Sequence, residues 1–444
     1  MITSRAWSGK RYAVLGLARS GAATVDALLA SGADVVAWDS DSSRRRDDVV
    51  WQDPLALDLT GFAAVVVSPG VPLNRHPIAA HAAKFGVPII GDIELFAQAR
   101  GELPPHKVVG ITGTNGKSTT TALVHHILKT AGVPTTMGGN IGLPILAQDP
   151  LPSGGVYVLE LSSYQIDLTF TLDCDVAVLL NVSPDHLDRY DGFEAYAASK
   201  ARLFEMQTVS NEAVFAGDDP TTQALCNGWI QKRSGKVLWA EASFEEPLGV
   251  SVCEGEATIF LDHVGWQADW PNLQGPHNAA NAGAAIAIGH LLGLKRGLIA
   301  DGLRTYPGLA HRMERIRDLN GVLFVNDSKA TNPDSAAPAL AAFPHVRWIL
   351  GGQAKSPALD ACRPHFGHVR SAYTIGAAGP MFADILRPHM TVDESGTLDV
   401  AVAHAARDAE AGDTVLLSPA CASFDQFRDF EHRGDTFRQL VEAL

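Results

Sequence analysis

The 444-residue sequence has few cysteines and no long hydrophobic segment, and these absences exclude several classes of protein. Its five cysteines are an odd number and none forms a Cys-x-x-Cys pair, which argues against a disulfide framework or a zinc ribbon. No apolar run approaches the ~20 residues that a helix needs to span a bilayer. Because the first residues also lack the pattern of a signal peptide, we expect a cytoplasmic protein that does not insert into membranes.

Net positive charge is also absent. The chain has 35 basic and 49 acidic side chains, which gives a formal net charge of −14 at pH 7. A general nucleic-acid binder needs a basic face, so this balance excludes that class, although a local basic pocket for a small anion remains compatible with it. Only 11 residues are lysine, and four of these fall in the polar segments described below.

What the sequence does contain is a repeated alternation of short apolar strands, glycine-rich or polar turns and alanine- and leucine-rich helices. The hydrophobic share of 46% is enough for several buried cores. The alternation is typical of parallel α/β domains. We predict three such domains, at residues 1–95, 96–307 and 308–444. Within the second domain, residues 213–270 are expected to form short strands and turns.

Residues 111–119 read Ile-Thr-Gly-Thr-Asn-Gly-Lys-Ser-Thr and lie between a predicted strand and a predicted helix, as a phosphate-binding loop requires. Glycines allow a tight turn whose N–H groups converge on an anion, and the helix N-terminus adds partial positive charge. Ile111 departs from the general Walker pattern, which leaves a glycine-rich turn with a solvated lysine as the alternative. The predicted nucleotide-binding residues are Gly113, Thr114, Asn115, Gly116, Lys117, Ser118 and Thr119.

Candidate metal ligands follow in the same domain. Glu160 ends a predicted buried strand, and Mg²⁺ is usually held by one or two carboxylates together with phosphates and hydroxyls. The alternative is a carboxylate that caps the next helix. Composition alone describes His186 as a polar loop residue and Lys200 as a solvated helix lysine, since histidine is uncommon on Mg²⁺.

Three polar clusters follow predicted strands in the last third of the chain, at residues 326–333, 351–356 and 418–427. In open α/β sheets, ligands bind beyond the carboxyl ends of the strands. The three clusters therefore predict one shared site, with ordinary turn chemistry as the alternative for each cluster alone.

Taken together, the motifs resemble those of the Mur ligases. The segments that carry the resemblance occur in the family's order and are Gly113–Ser118, Glu160–Ser163, Asp185–Asp188, Gly275–Asn278, His311–Arg312 and Asn326–Asn332. Residues 417–427 are similar to those of the members that add D-glutamate. The resemblance implies a Rossmann-like first domain, a central domain of the P-loop ATPase type and a Rossmann-like third domain.

The activity that this resemblance implies is an ATP-dependent, ADP-forming ligation in peptidoglycan precursor synthesis. D-Glutamate would be joined to UDP-N-acetylmuramoyl-L-alanine through an acyl phosphate, by a monomer that uses ATP and two Mg²⁺ ions. The alternatives are another amide ligase of the superfamily (adding L-alanine or diaminopimelate, or extending folate with glutamate) and a non-catalytic nucleotide-binding regulator. The regulator would require the loss of Lys117, Glu160 or the Lys200 segment, and all three are present.

The resemblance also implies roles for individual residues. The catalytic residues would be Lys117, His186, Lys200 and Lys329. One Mg²⁺ would be bound by Ser118 and Glu160, and the second by His186 and a carbamylated Lys200. ATP would also contact Asn278, Arg312 and Asp327. D-Glutamate would contact Thr331, Lys355, Ser423 and Phe430. The UDP-substrate would be bound by Gly16, Arg19, Ser20, Asp39, Ser68, Gly70 and Asn140.

Overall fold

The computed structural model describes residues 1–185, 188–216, 219–231, 236–240, 248–254, 257–265, 267–354 and 357–444. The chain forms two compact units. The first consists of Met1–Asp269 and Asn278–Thr305, and the second of Trp270–His277 and Tyr306–Leu444.

The first unit begins with a five-stranded parallel sheet. Its strands are β1 Arg11–Leu15, β2 Asp34–Trp38, β3 Val50–Trp51, β4 Phe62–Val67 and β5 Ile89–Ile90. The helices of this region are α1 Arg19–Ala30, α2 Ile78–Lys84 and α3 Asp92–Ala99. The strand order β3-β2-β1-β4-β5 is the Rossmann-like arrangement that the resemblance implies.

The second sheet of the first unit has eight strands. They are β6 His106–Thr112, β7 Thr135–Gly139, β8 Gly155–Glu160, β9 Val176–Leu179, β10 Glu212–Ala216, β11 Val237–Ala240, β12 Leu248–Glu254 and β13 Ala257–Gly265. The order is β13-β12-β11-β10-β9-β6-β8-β7. The pairs β11–β12 and β12–β13 are antiparallel, and the other pairs are parallel. The helices are α4 Lys117–Thr130, α5 Ser163–Asp167, α6 Phe193–Glu205, α7 Pro220–Ile230, α8 Pro276–Leu291 and α9 Arg296–Thr305.

The second unit contains a six-stranded sheet. Its strands are β14 Glu314–Leu319, β15 Val322–Asn326, β16 Val346–Gly351, β17 Val369–Ile375, β18 Thr391–Gly396 and β19 Thr414–Leu417. They are ordered β14-β15-β19-β16-β17-β18, with only β14 antiparallel. The helices are α10 Pro333–Ala341, α11 Gly379–Leu386, α12 Leu398–Asp408 and α13 Phe430–Glu442.

The predicted α/β fold class is confirmed, since each of the three sheets is mainly parallel and is accompanied by helices. The domain boundaries remain a prediction, and the one at residue 95 falls inside α3. None of the helices that the described residues form combines the length and the apolarity that crossing a bilayer requires.

The prediction of only strands and turns over residues 213–270 is wrong, because α7 lies within this stretch. The start of α7 is specified locally. The Asp219 carboxylate accepts a hydrogen bond from the Thr222 N–H (2.8 Å), and Pro220 occupies the first helical position, where its missing N–H costs nothing.

The cores determine where the polar segments lie. All residues of β8 and β19 are buried, as is typical of parallel strands covered on both faces. Polar groups are therefore displaced to the loops beyond the strand ends. Because the carboxyl ends of parallel strands lie at one edge of a sheet, the loops that follow β6, β8 and β9 are neighbours.

Candidate active site

The predicted phosphate loop connects β6 to α4, as expected from the sequence. Gly116 has φ +84°, a left-handed conformation that strains residues other than glycine, and a Cβ at this position would lie 2.3 Å from Oδ1 of Asn281 on α8 unless that side chain moved. The first N–H groups of any α-helix lack intrahelical acceptors, and the start of α4 at Lys117 therefore favours an anion. The turn and the helix start are thus the two features that a phosphate-binding loop requires.

Two lysine side chains converge on the carbonyl oxygen of Gly113. Lys117 Nζ donates to Gly113 O (2.8 Å) and to Thr114 O (2.7 Å), and Lys200 Nζ donates to Gly113 O (2.9 Å). Lys200 is only 1% exposed. Burial, and then the positive charge of Lys117, hold the pKa of Lys200 well below its ordinary value. Lys200 is thus a buried lysine that contacts the phosphate loop, unlike the solvated lysine that composition suggests.

Tyr196 connects Lys200 to the phosphate loop and is a residue that the sequence analysis missed. Lys200 Nζ lies 4.5 Å from the centre of the Tyr196 ring, and the Tyr196 hydroxyl is 3.2 Å from Thr114 Oγ1. Burial raises the pKa of this phenol to about 12, so it stays protonated. The available signal was the spacing of four residues on α6, which places both side chains on one helix face.

Glu160 lies where β8 ends, and Ile111 of β6 is its neighbour across the parallel pair. The side chain is 2% exposed, and Oε1 accepts a hydrogen bond from Asn140 Nδ2 (2.9 Å). Oε2 is buried and has no hydrogen-bond partner within the described residues. A buried carboxylate oxygen without a donor suits a cation, so Glu160 fits a magnesium ion that is also held by phosphate oxygens. Ser118, in the first turn of α4, could add a hydroxyl ligand.

In the described part of the chain, no three His, Cys, Asp or Glu side chains group as a metal cluster. His186, assigned to the second ion by the resemblance, lies outside the described residues. Lys355, assigned to D-glutamate, also lies outside them.

The helix that carries Lys200 is fastened to α5 by one carboxylate. Asp167 Oδ1 accepts a hydrogen bond from Ser199 Oγ (2.7 Å), and Oδ2 accepts one from the Tyr190 hydroxyl (2.8 Å). Arg202 donates to the Asp167 carbonyl oxygen (3.3 Å). Asp167 therefore fixes the position of α6, and with it that of Lys200, relative to the segment that follows Glu160.

Asn278, predicted to bind ATP, is 6% exposed on α8. Its Oδ1 accepts a hydrogen bond from Asn281 Nδ2 (3.2 Å), and Asn281 Oδ1 is 3.2 Å from Thr120 Oγ1 on α4. Asn281, which the sequence analysis did not identify, thus links Asn278 to the phosphate-loop helix.

The predicted UDP-substrate residues of the first sheet surround the turn between β1 and α1. Ser68 Oγ donates to Gly16 O (2.8 Å). A Cβ at Gly21 would lie 1.8 Å from the same oxygen, so the close approach of α1 to the turn requires glycine. Asp39 accepts hydrogen bonds from the Leu17 N–H (2.6 Å) and from Arg44 Nη1 (3.1 Å).

The Asp39 carboxylate therefore shapes the turn with its own hydrogen bonds. Among the other predicted UDP-substrate residues, Arg19 and Ser20 begin α1 and Gly70 lies two residues after Ser68. Asn140 follows β7 and contacts Glu160 as described above.

In the second unit, the loop after β15 carries Asp327, Lys329 and Thr331. Asp327 is 4% exposed and accepts hydrogen bonds from Ser418 Oγ (2.8 Å) and the Met313 N–H (3.2 Å). Burial raises its pKa to about 7. Lys329 Nζ lies 5.6 Å from the centre of the Phe430 ring. The predicted cluster at the ends of β15 and β19 is thus brought together.

Ser423 and Arg312 complete the predicted residues of the second unit. Ser423 is 2% exposed, and its carbonyl oxygen accepts a hydrogen bond from the Phe427 N–H (2.8 Å). Arg312 lies between His311 and Met313, whose φ angles of +61° and +48° place them in the left-handed region. Its Nε is buried without a hydrogen-bond partner in the described ranges, which suits an anionic ligand.

Comparison with known proteins shows which family combines these features. The family model described as Mur ligase middle domain matches residues 111–289, and the one described as Mur ligase, glutamate ligase domain matches residues 311–421. The first match includes the phosphate loop, Glu160 and Lys200, and the second includes the clusters after β15 and β16.

Curated relatives match over the full length. The UDP-N-acetylmuramoylalanine–D-glutamate ligase of Novosphingobium aromaticivorans is 61% identical, over 100% of this chain and 97% of the relative. The ligases of the same name from Sphingopyxis alaskensis and Zymomonas mobilis are 58% and 55% identical, each over 100% of both chains.

Solved structures share the fold at lower identity. UDP-N-acetylmuramate–alanine ligase from Thermotoga maritima has a TM-score of 0.58 and 17% identity, over 98% of this chain and 99% of that chain. The MurF ligase of the same organism, in complex with ADP, has a TM-score of 0.59 and 16% identity, over 98% and 96% of the two chains. The chain belongs to the Mur ligase family, and within it to the UDP-N-acetylmuramoylalanine–D-glutamate ligases.

Proposed function

We propose that this enzyme joins D-glutamate to UDP-N-acetylmuramoyl-L-alanine at the expense of ATP, releasing ADP and phosphate. The observation that carries the proposal is the convergence of two lysines on the phosphate loop, next to a buried carboxylate that suits a cation. The names of the full-length relatives support UDP-N-acetylmuramoyl-L-alanine and D-glutamate as the substrates. The setting would be cytoplasmic peptidoglycan precursor synthesis, and the enzyme would act as a monomer.

The reaction requires two anions to approach each other. In the first step, the alanyl carboxylate attacks the γ-phosphorus of ATP, and ADP leaves, which gives an acyl phosphate. In the second step, the amine of D-glutamate attacks the acyl carbon, inorganic phosphate leaves, and the nitrogen loses a proton. Lys117 and the start of α4 would offset the charge of the phosphates. Ser118 and Glu160 would hold one Mg²⁺, which supplies further positive charge at the transferred phosphoryl group when bound.

Lys200 would contribute to the second Mg²⁺ site, together with His186, as a carbamate. Carbamylation needs a neutral amine, and the lowered pKa of buried Lys200 supports it. With ¹³C-labelled bicarbonate, we expect a carbamate carbon signal in the NMR spectrum of the enzyme that is absent from Lys200→Arg. A spectrum without this signal, or one that Lys200→Arg leaves unchanged, contradicts the modification.

On the acceptor side, Thr331, Ser423 and Phe430 would form the D-glutamate pocket with Lys355, and Lys329 would act as a catalytic residue facing the reaction centre. Arg312 and Asp327 would contact ATP, as would Asn278. The turn at Gly16, with Arg19, Ser20, Asp39, Ser68 and Gly70, would bind the UDP group, and Asn140 the muramoyl-alanine end. The proximity of Lys329 to the Phe430 ring and the unpartnered Nε of Arg312 support these roles.

The deciding experiment measures ADP release from ATP with UDP-N-acetylmuramoyl-L-alanine as acceptor over a panel of amino acids. We expect turnover with D-glutamate and less than about 1% of that rate with L-glutamate, L-alanine or diaminopimelate. Preference for another amino acid would assign the chain to a different ligation reaction.

Lys117→Ala tests the phosphate loop in the same assay. We expect a loss of at least about a hundredfold in kcat, because the charge that faces the phosphates is removed. Lys129→Ala is the matched control, since Lys129 is exposed in the last turn of the same helix. Equal activities of the two variants would remove the basis for the proposed role of Lys117.

A further inference from the structure

Arg433 on α13 is a fully buried arginine that makes no hydrogen bond or ion pair with a carboxylate among the residues the structure describes. Its side chain is 1% exposed. Nε donates to Ser328 Oγ (3.0 Å), and Nη2 donates to Ser328 O (2.8 Å) and to Cys421 O (3.0 Å). Nη1 is buried and has no hydrogen-bond partner within the described residues. Within the described part of the chain, the acceptors that Arg433 contacts are therefore all neutral oxygens.

These contacts bring Arg433 to the ends of three parallel strands. Ser328 follows β15 and Cys421 follows β19. Gly352 follows β16, and a Cβ at that glycine would lie 3.2 Å from Arg433 Nη1. One guanidinium thus reaches all three of the polar clusters in the second unit.

The same guanidinium is adjacent to the proposed acceptor pocket. The Ser328 hydroxyl, which accepts from Arg433, donates to the Phe430 carbonyl oxygen (2.8 Å). Lys329, the next residue along the loop, places its amine over the Phe430 ring. Arg433 is therefore linked through one hydroxyl to a residue proposed to contact D-glutamate, and it lies one helical turn from that residue.

None of the described carboxylates is in direct contact with the charged guanidinium of Arg433. Burial lowers its pKa to about 10, so the side chain is still a cation at neutral pH. Burial also raises the pKa of the Cys421 thiol to about 12, which leaves that group neutral. The Asp425 carboxylate attracts the Arg433 guanidinium electrostatically. This carboxylate is exposed, however, and accepts a hydrogen bond from the Ala377 N–H (2.8 Å).

Buried charges in proteins are ordinarily paired, since desolvation of a lone ion is costly. We infer that Arg433 is a positioning residue of the acceptor pocket, which holds the Ser328 and Cys421 loops in place and biases the pocket toward an amino acid with an acidic side chain. The inference rests on the proposed function. The carboxylate of an acidic ligand would place a negative charge near this guanidinium.

Steady-state kinetics of Arg433→Gln and Arg433→Lys test the inference. For Arg433→Gln we expect KM for D-glutamate to rise at least about tenfold, with KM for ATP and for UDP-N-acetylmuramoyl-L-alanine within about threefold of the unmodified enzyme. The preference for D-glutamate over neutral D-glutamine should fall by about the same factor. Arg433→Lys keeps the charge but loses the planar fork, so KM should rise while the preference is retained.

Arg407→Gln provides the matched control, because Arg407 is an exposed arginine on α12 of the same unit. Equal increases in every KM, or an unchanged KM for D-glutamate in folded Arg433→Gln, would overturn the inference. If Arg433→Gln does not fold, Arg433→Lys decides, and an unchanged KM for D-glutamate in that variant would also overturn it. An unmodified enzyme that does not use D-glutamate would instead refute the proposed function.

Discussion

Asp92 is a carboxyl group that the fold buries at the first position of α3, where it is 4% exposed. Neither carboxyl oxygen has a hydrogen-bond partner of regular geometry among the residues the structure describes, and the nearby Ile93 amide offsets only part of the effect of burial. Burial raises the pKa of Asp92 from 3.8 to about 6. The folded state therefore binds this proton more tightly than the unfolded chain does.

This shift predicts a stability that falls as the pH rises. Below the pKa that Asp92 has in the unfolded chain, the carboxyl is protonated in both states and costs no stability. Above its pKa in the folded protein, the buried charge lowers the free energy of unfolding by about 3 kcal/mol. Asp92→Asn should therefore increase the free energy of unfolding at pH 8 and leave it nearly unchanged at pH 4. Urea unfolding at the two pH values measures this. Asp47→Asn is the control, since Asp47 is fully exposed; an equal gain in both variants would contradict the prediction.

The spacing of residues in the sequence predicts the role of a single residue only where the residues that act with it are close in the chain. The phosphate loop could be predicted because seven adjacent residues and the flanking strand and helix act together. Arg433 could not, because its acceptor Ser328 is 105 positions away. Nor does composition distinguish a solvated lysine from Lys200, whose burial depends on packing among α6, β6 and the phosphate loop.

Among the elements, α6 matters most for the chemistry because it carries Lys200. Its position depends on Asp167, which accepts hydrogen bonds from Ser199 and Tyr190. Asp167→Ala should lower the free energy of unfolding by about 1–3 kcal/mol, since two donors lose their acceptor. Displacement of Lys200 should also lower kcat by about tenfold, because catalysis depends on sub-ångström positioning.

Steady-state kinetics, together with the ¹³C carbamate signal of Lys200, measure this prediction. Glu194→Ala is the control, since Glu194 is an exposed carboxylate in the first turn of the same helix. If Asp167→Ala loses stability while kcat and the carbamate signal stay unchanged, Asp167 serves stability alone.

The elements also differ in how far the sequence predicted them. Strands such as β8 were predictable because they are continuously apolar and end at a polar residue, Glu160. In contrast, α7 was missed because its start is specified by Asp219 and Pro220, which are also common turn residues. The sequence of the edge strand β18, Thr-Val-Asp-Glu-Ser-Gly, does not predict a strand because it lacks the apolar pattern of a buried strand.

For the whole molecule, the sequence predicted three α/β regions, whereas contacts group the chain into two compact units. The short segment Trp270–His277 belongs to the second unit although it is flanked in the chain by parts of the first. Composition does not reveal that this segment belongs to the second unit. Its assignment depends on which residues pack together, whereas composition shows only where apolar segments begin and end.

Two units with separate cores predict that unfolding is not a single two-state transition. We expect two components in differential scanning calorimetry. ADP with Mg²⁺, at about a hundred times its Kd, should stabilise the unit that contains the phosphate loop by about 2.7 kcal/mol, since a ligand stabilises the state that binds it. Lys117→Ala should abolish this shift, and Lys129→Ala should retain it. A shift that persists in Lys117→Ala would show that nucleotide binding does not depend on the loop lysine.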